Sequence, residues 1–148
     1  MPHSGLMDEL TLSPEAAALF RARLHLRGGR RRLRQGKYAA GVAALYDALC
    51  SGMRWYILVA QEAALVPLRT GVDRQTDREV FIALAQAGVL DNPNAFEHLE
   101  SGLDQLLNGR EPDFEPPEVM TLVEHWLTQL GIMPFDEGAL PSEDPRTF

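Results

Sequence analysis

Read along the chain, apolar side chains return at gaps of three and four, the period of an α-helix, and no run shows the strict alternation of a half-buried strand. The first helical run opens after Ser13, whose hydroxyl suits an N-cap, with Pro14 at the first helical position and Glu15 favoured by the helix dipole. Leu19, Leu26 and Leu33 then recur every seven residues with Phe20 and Leu24 beside them, which predicts one apolar stripe. Arg23, Arg27, Arg30 and Arg34, spaced four, three and four, predict a second, basic stripe. Gly28 and Gly29 interrupt both at a cost of about 2 kcal/mol relative to alanine, which marks a kink or a close helix contact. Gly36 offers a left-handed stop.

The run from Lys37 to Leu65 predicts the longest helix. Tyr38, Val42, Leu45, Leu49, Met53, Tyr56 and Ala60 form one apolar side, and Ala39, Ala43, Tyr46, Cys50 and Ile57 a second. Only Asp47, Ser51, Arg54 and Gln61 make a thin polar strip. A helix apolar around most of its girth belongs at the centre of a bundle, and its many alanines let neighbours come close. The stretch VPLRTGVDRQT reads as a loop, broken by Pro67 and Gly71. A capping box from Thr76 to Glu79 opens a third helix that stops at Gly88. A fourth begins at Asn92–Pro93, puts Phe96, Leu99, Leu103, Leu106 and Leu107 on one face, and stops at Asn108–Gly109. A fifth follows EPDFEPPE, carries Val119, Met120, Val123, Trp126, Leu127 and Leu130, and stops at Gly131.

These elements predict an all-α fold: an up-and-down helical bundle of four to five helices around a central alanine-rich helix. Residues 1–12 form an N-terminal arm and 13–131 the bundle domain. Residues 132–148 form an acidic, proline-containing tail that is irregular or clamped onto the body by Phe135. A chain of 148 residues can bury about two-thirds of its unfolded surface, so one domain is self-sufficient. The single cysteine, Cys50, lies in an apolar stretch and reads as a small buried hydrophobe in a reducing compartment. The opening MPHSGLMDELTLSPE has no apolar core of a signal peptide, and no run is long and uncharged enough to span a bilayer. A cytoplasmic protein without membrane contact is the expectation.

Net charge changes the picture more than composition does. Residues 1–76 carry 11 basic and 6 acidic side chains, net +5, and residues 77–148 carry 3 and 15, net −12, together the −7 of the whole chain. Arg21, Arg23, Arg27, Arg30, Arg31, Arg32, Arg34 and Lys37 fall within 17 positions. Such asymmetry serves either an anionic partner or attraction between two halves of one molecule. The first option makes Arg27, Arg30, Arg31 and Arg34 a phosphate-binding stripe with Tyr38, Trp55 and Tyr56 as stacking partners. The second makes them a solvated face that pairs with the acidic helices, and this is the reading preferred. Trp55, Tyr56 and Trp126 follow core spacing and are expected in the core or at a dimer contact first.

Catalytic motifs do not emerge. GGRRR lacks the lysine and Ser/Thr of a phosphate-binding loop, and no serine sits in a nucleophile elbow. The pairs Glu97–His98 and Glu124–His125 cannot aim both members at one ion, because neighbours on a helix point about 100° apart. No catalytic residue, metal ligand or cofactor is assigned.

The sequence RRLRQGKY running into AAGVAALYDALCSGMRWYI resembles the helical bundles of the HEPN superfamily, including substrate-binding domains that accompany minimal nucleotidyltransferases. The resemblance covers about residues 15–65 and rests on the Gly36–Tyr38 turn, Ala44, Tyr46 and Ala48. It implies a bundle that often dimerises, with Tyr46, Asp47 and Arg54 near an interhelical groove. It also implies a minimal nucleotidyltransferase as a partner. Nuclease members carry an arginine, four to six residues and a histidine. Here Arg21 to His25 has three intervening residues and sits in the first helix, so ribonuclease activity does not carry over. The resulting expectation is a non-enzymatic interaction or ligand-binding module of HEPN-like type, acting as a homodimer or with a partner protein. An RNA- or nucleotide-binding protein and a degenerate ribonuclease are the alternatives.

Overall fold

The computed structural model describes residues 11–63 and 77–147. Helix α1 (Pro14–Arg34) opens where the cap predicts, with the Ser13 hydroxyl accepting from the Ala16 amide at 3.2 Å. It ends as Lys37 N–H donates to Arg32 O at 2.9 Å and Gly36 N–H to Leu33 O at 3.0 Å. Gly36 takes a φ of 76°, a conformation that glycine adopts without a side-chain clash. The same paired bonds close α3 (Asp77–Gln86), α4 (Pro93–Leu107) and α5 (Pro116–Gln129) at the expected glycines 88, 109 and 131. Helix α4 starts at Asn92, whose side chain accepts from the Ala95 amide. Helix α2 is described over Tyr38–Ala63. Its expected end at Leu65, the VPLRTGVDRQT loop, Thr76 of the capping box and most of the N-terminal arm lie outside the described residues.

Among the described residues the architecture is an all-α, up-and-down bundle of five α-helices with α2 at its centre, packed against each of the other four. Val42, Leu45, Leu49, Met53, Ile57 and Ala60 are buried, as are Ala44 and Ala48 on its alanine-rich side. Helices α1 and α2 approach closely at two glycines. A Cβ on Gly41 would lie 2.7 Å from Leu33 Cδ2 and 3.1 Å from Leu33 N, and one on Gly29 would lie 2.9 Å from Leu45 Cδ2. Gly29 is thus a close helix contact, and α1 runs through it unbroken. Three turns further along α2, Gly52 receives Leu127 of α5 in the same way.

An aromatic cluster fills the far end. Phe81 of α3 stacks on Phe96 of α4 at 4.3 Å between centroids, and Trp126 of α5 meets Phe81 edge-on at 5.0 Å. Trp126 is wholly buried, and its indole N–H donates to Asp91 O at 3.0 Å. Trp55 and Tyr56 are half-buried against the core. Two large side chains depart from the expected apolar faces: Tyr38 is 49 % exposed and Leu107 64 %. Each is a terminal residue of its helix, where the neighbouring helices no longer cover the stripe. No described helix is long and apolar enough to cross a membrane.

The segment after α5 returns along α1. Ile132 is sealed in the core, Phe135 packs half-buried against it, and two short 3₁₀ turns, Glu137–Ala139 and Pro145–Thr147, punctuate an otherwise irregular path. This segment corrects the expectation of a solvated arginine face. Arg27 and Arg30 are half-buried beneath it and Arg31 is only 8 % exposed, because long arginine stems bury readily when their heads find carboxylates. Of the four predicted binding arginines only Arg34 is exposed.

Replacing Gly41 by valine should cost about 2 kcal/mol, read as a lower urea midpoint with unchanged slope, because the added methyls collide with the Leu33 backbone. Adding Leu33→Ala should recover only part of the loss, since the clash with Leu33 N persists.

Candidate functional site

The thin polar strip of α2 faces a cleft. Asp47, Cys50, Ser51 and Arg54 recur at gaps of three, one and three, which keeps them on one side of the helix. Across from them stand Arg21 of α1 and Asp77 at the start of α3. Arg21, Cys50, Ser51, Arg54 and Asp77 line a cleft of about 380 Å³ over an apolar floor that includes Met53, Ile57 and Val80. Arg21 and Arg54 also line an adjoining depression of about 340 Å³ beside Leu12, Pro14 and Ala17. Arg54 is exposed and has no ion-pair partner among the described residues.

Below the cleft the polar groups are tied together. The Tyr46 hydroxyl donates to Glu100 Oε2 at 3.0 Å, and Arg78 Nε donates to Glu100 Oε1 at 3.0 Å. Burial, reinforced by the nearby Glu100 and Asp77 charges, pushes the Tyr46 phenol well above its usual value, so it stays a donor. Burial and Asp77 likewise push the Cys50 thiol up, and burial with Asp77 raises the Asp47 carboxyl. His25, buried in α1, places Nδ1 4.0 Å from Asp47 Oδ2. A thiol held protonated is a poor nucleophile, and it packs here as a small polar hydrophobe. Among the described residues no three His, Cys, Asp or Glu side chains cluster as metal ligands would. Glu124 turns to Arg30, His125 to Asp91 at 3.0 Å, and the His98 ring lies 6.1 Å from that of Phe114.

The seven residues singled out from sequence thus fall into two groups. Tyr46, Asp47 and Arg54 share the cleft side of α2, whereas Arg27, Arg30 and Arg31 lie under the C-terminal segment and Arg34 at the end of α1. Arg30 Nε donates to Glu124 Oε1 at 2.9 Å and its Nη1 pairs with Glu137. Arg31 Nε donates to Glu143 Oε2 at 2.9 Å, and Arg27 Nε stands 3.7 Å from Glu143 Oε1. Sequence reasoning missed Ser51, Asp77, Arg78 and Glu100 as neighbours of the cleft. Ser51 was legible from its place in the polar strip, but the others come from α3 and α4, whose rotation about α2 no local pattern encodes. Compared with family models, curated proteins and solved structures, the chain finds no match in any of the three.

Cys50 and Tyr46 hold their protons to higher pH in the folded chain than in the unfolded one. Their contribution is therefore full below the ordinary values of 9.0 and 10.0, and is lost as pH climbs from there toward the raised values. Iodoacetamide should alkylate Cys50 slowly at pH 8, and Asp77→Asn should speed the reaction by about tenfold for each pKa unit regained. A thiol that reacts at the rate of a free cysteine in the folded chain would contradict this geometry.

Proposed function

We propose that the chain is a non-enzymatic ligand-binding and interaction module of HEPN-like type, acting as a homodimer or with a partner protein, and that its ligand seat is the cleft between α1, α2 and α3. The observation that carries this reading is Arg54, a guanidinium with no ion-pair partner among the described residues, on the rim of a cleft that combines Arg21, Ser51 and Asp77 with an apolar floor. Its volume, about 380 Å³, lies within the range of small-molecule sites. Two guanidiniums above aliphatic side chains suit a small anion with an apolar or planar part, of which a nucleoside monophosphate is the simplest probe. Cys50, held as a thiol, and His25, buried away from solvent, favour binding over catalysis.

The interaction half of the reading draws on a second groove of about 470 Å³, where exposed Tyr38 meets Leu106, Phe114 and Pro116. A minimal nucleotidyltransferase is the partner that the HEPN resemblance suggests, and a second copy of the chain is the simpler one.

Native mass spectrometry of the purified chain should detect a retained small anion, and adenosine monophosphate should raise the melting temperature. Arg54→Gln, a surface change, should abolish the shift while leaving the unliganded melting temperature within about 1 °C. Equal shifts in both proteins, or no retained ligand and no shift in the unmutated chain, would sink the ligand reading. Light scattering that finds only a monomer with no co-purifying chain would sink the interaction half.

A further inference from the structure

Among the described residues beyond Ile132 no side chain is completely buried, and the segment's contacts with α1 include a run of polar ones. That run has a definite order. The Phe135 ring lies 5.0 Å from the Arg23 guanidinium carbon, and Arg23 Nη2 donates to Ile132 O at 3.2 Å. Glu137 then takes Arg30, and Glu143 reaches Arg31 and Arg27. A flat ring on one guanidinium followed by oxyanions on the next ones is how a single-stranded nucleic acid meets an arginine row.

The segment also leaves the row short of acceptors. Among the described residues, Arg23 Nε and Arg27 Nε and Nη2 are buried without a hydrogen-bond partner, as is Nη1 of the neighbouring Arg32. Burial holds Arg23 and Arg32 below the usual arginine value, with Arg31 adding to the effect on Arg32. Buried polar atoms ordinarily find partners. A peptide with two carboxylates therefore underfills a surface that a chain of phosphates, with oxyanions at every repeat, would fill better.

We propose that the row Arg23, Arg27, Arg30 and Arg31 is a binding surface for the phosphate backbone and bases of a single-stranded nucleic acid. Residues 133–147 occupy it in the free chain as a built-in competitor, with Phe135 standing for a base and Glu137 and Glu143 for phosphates. The apparent affinity is then the intrinsic one reduced by the fraction of molecules whose row is uncovered. This surface is separate from the α1–α2–α3 cleft, and neither reading depends on the other.

The test is fluorescence anisotropy with a labelled oligouridylate at low ionic strength. The doubly substituted chain Glu137→Gln, Glu143→Gln should bind at least about tenfold more tightly than the unmutated one, as expected when a competitor that covers nine molecules in ten is released. Its log affinity should fall with log salt at a slope of about −0.7 per phosphate contacted, roughly −3 for four. Adding Arg27→Gln and Arg31→Gln should remove the gain. In the unmutated chain, oligouridylate should raise amide exchange across 133–147 while α2 stays protected, a readout that no variant's folding can confuse. The proposal is overturned if the charge-neutralised chain, with its helical circular dichroism intact, binds no more tightly. It is equally overturned if exchange of the segment is unmoved at saturating oligonucleotide, or if polyglutamate releases the segment and oligouridylate does not.

Discussion

The approach of α1 to α2 through Gly29 and Gly41 sets the frame for everything else. With no side chain at either position, Leu33 and Leu45 drop into the space a Cβ would claim, and the two backbones come close enough for Gly41 O to lie 3.2 Å from a Cβ built on Gly29. Two glycines inside helices carry an intrinsic cost of about 2 kcal/mol, which close packing along the hairpin offsets. Helix α2 also packs against α3, α4 and α5, and Gly52, only about 20° around the helix axis from Gly41, repeats the device against Leu127 of α5. A central helix rich in alanine and glycine is thus what lets one rod touch four neighbours.

The same geometry decides where the charge goes. Once α1 turns Ala22, Leu26, Gly29 and Leu33 toward α2, Arg23, Arg27, Arg30 and Arg31 face α5 and the returning C-terminal segment. The opposed signs of the two halves of the sequence thereby meet within one molecule. Half-buried ion pairs of this kind contribute little net stability, since desolvation consumes most of the Coulomb attraction. What they do supply is direction: Arg30 takes Glu124 and Glu137 together, tying the segment to α5 as well as to α1.

Helical period and glycine stops carried the fold, because both are local. Helices α1, α3, α4 and α5 each end at their glycine, and α1 and α4 begin at their Ser or Asn cap, without help from distant residues, while the girth of apolar positions on α2 fixes its central place. The failures are those of a binary code. Arginine counts as polar, so a stripe of arginines reads as wet, yet each carries an apolar stem that a neighbour can cover. Tyr38 and Leu107 count as apolar, yet helix ends outrun their neighbours. Of the cleft, the α2 strip of Asp47, Ser51 and Arg54 was legible from spacing. Asp77 and Glu100 were not, since their approach depends on how α3 and α4 rotate onto the bundle.

Helix α1 presents anion-seeking groups on two sides at once. Arg21 and Arg23 are two residues apart, about 200° around the axis, so one looks into the cleft and the other under the C-terminal segment. A signal passing between these faces would need α1 to shift or roll against α2. The glycine contact opposes both motions, because sliding α1 along its axis would bring the flanking side chains, rather than hydrogen, against the backbone of its partner. Coupling between sites requires an element with two arrangements, and α1 has been packed into one. The cleft and the covered arginine row are therefore best understood as independent surfaces, joined by a helix whose rigidity keeps their occupancies from reporting on each other.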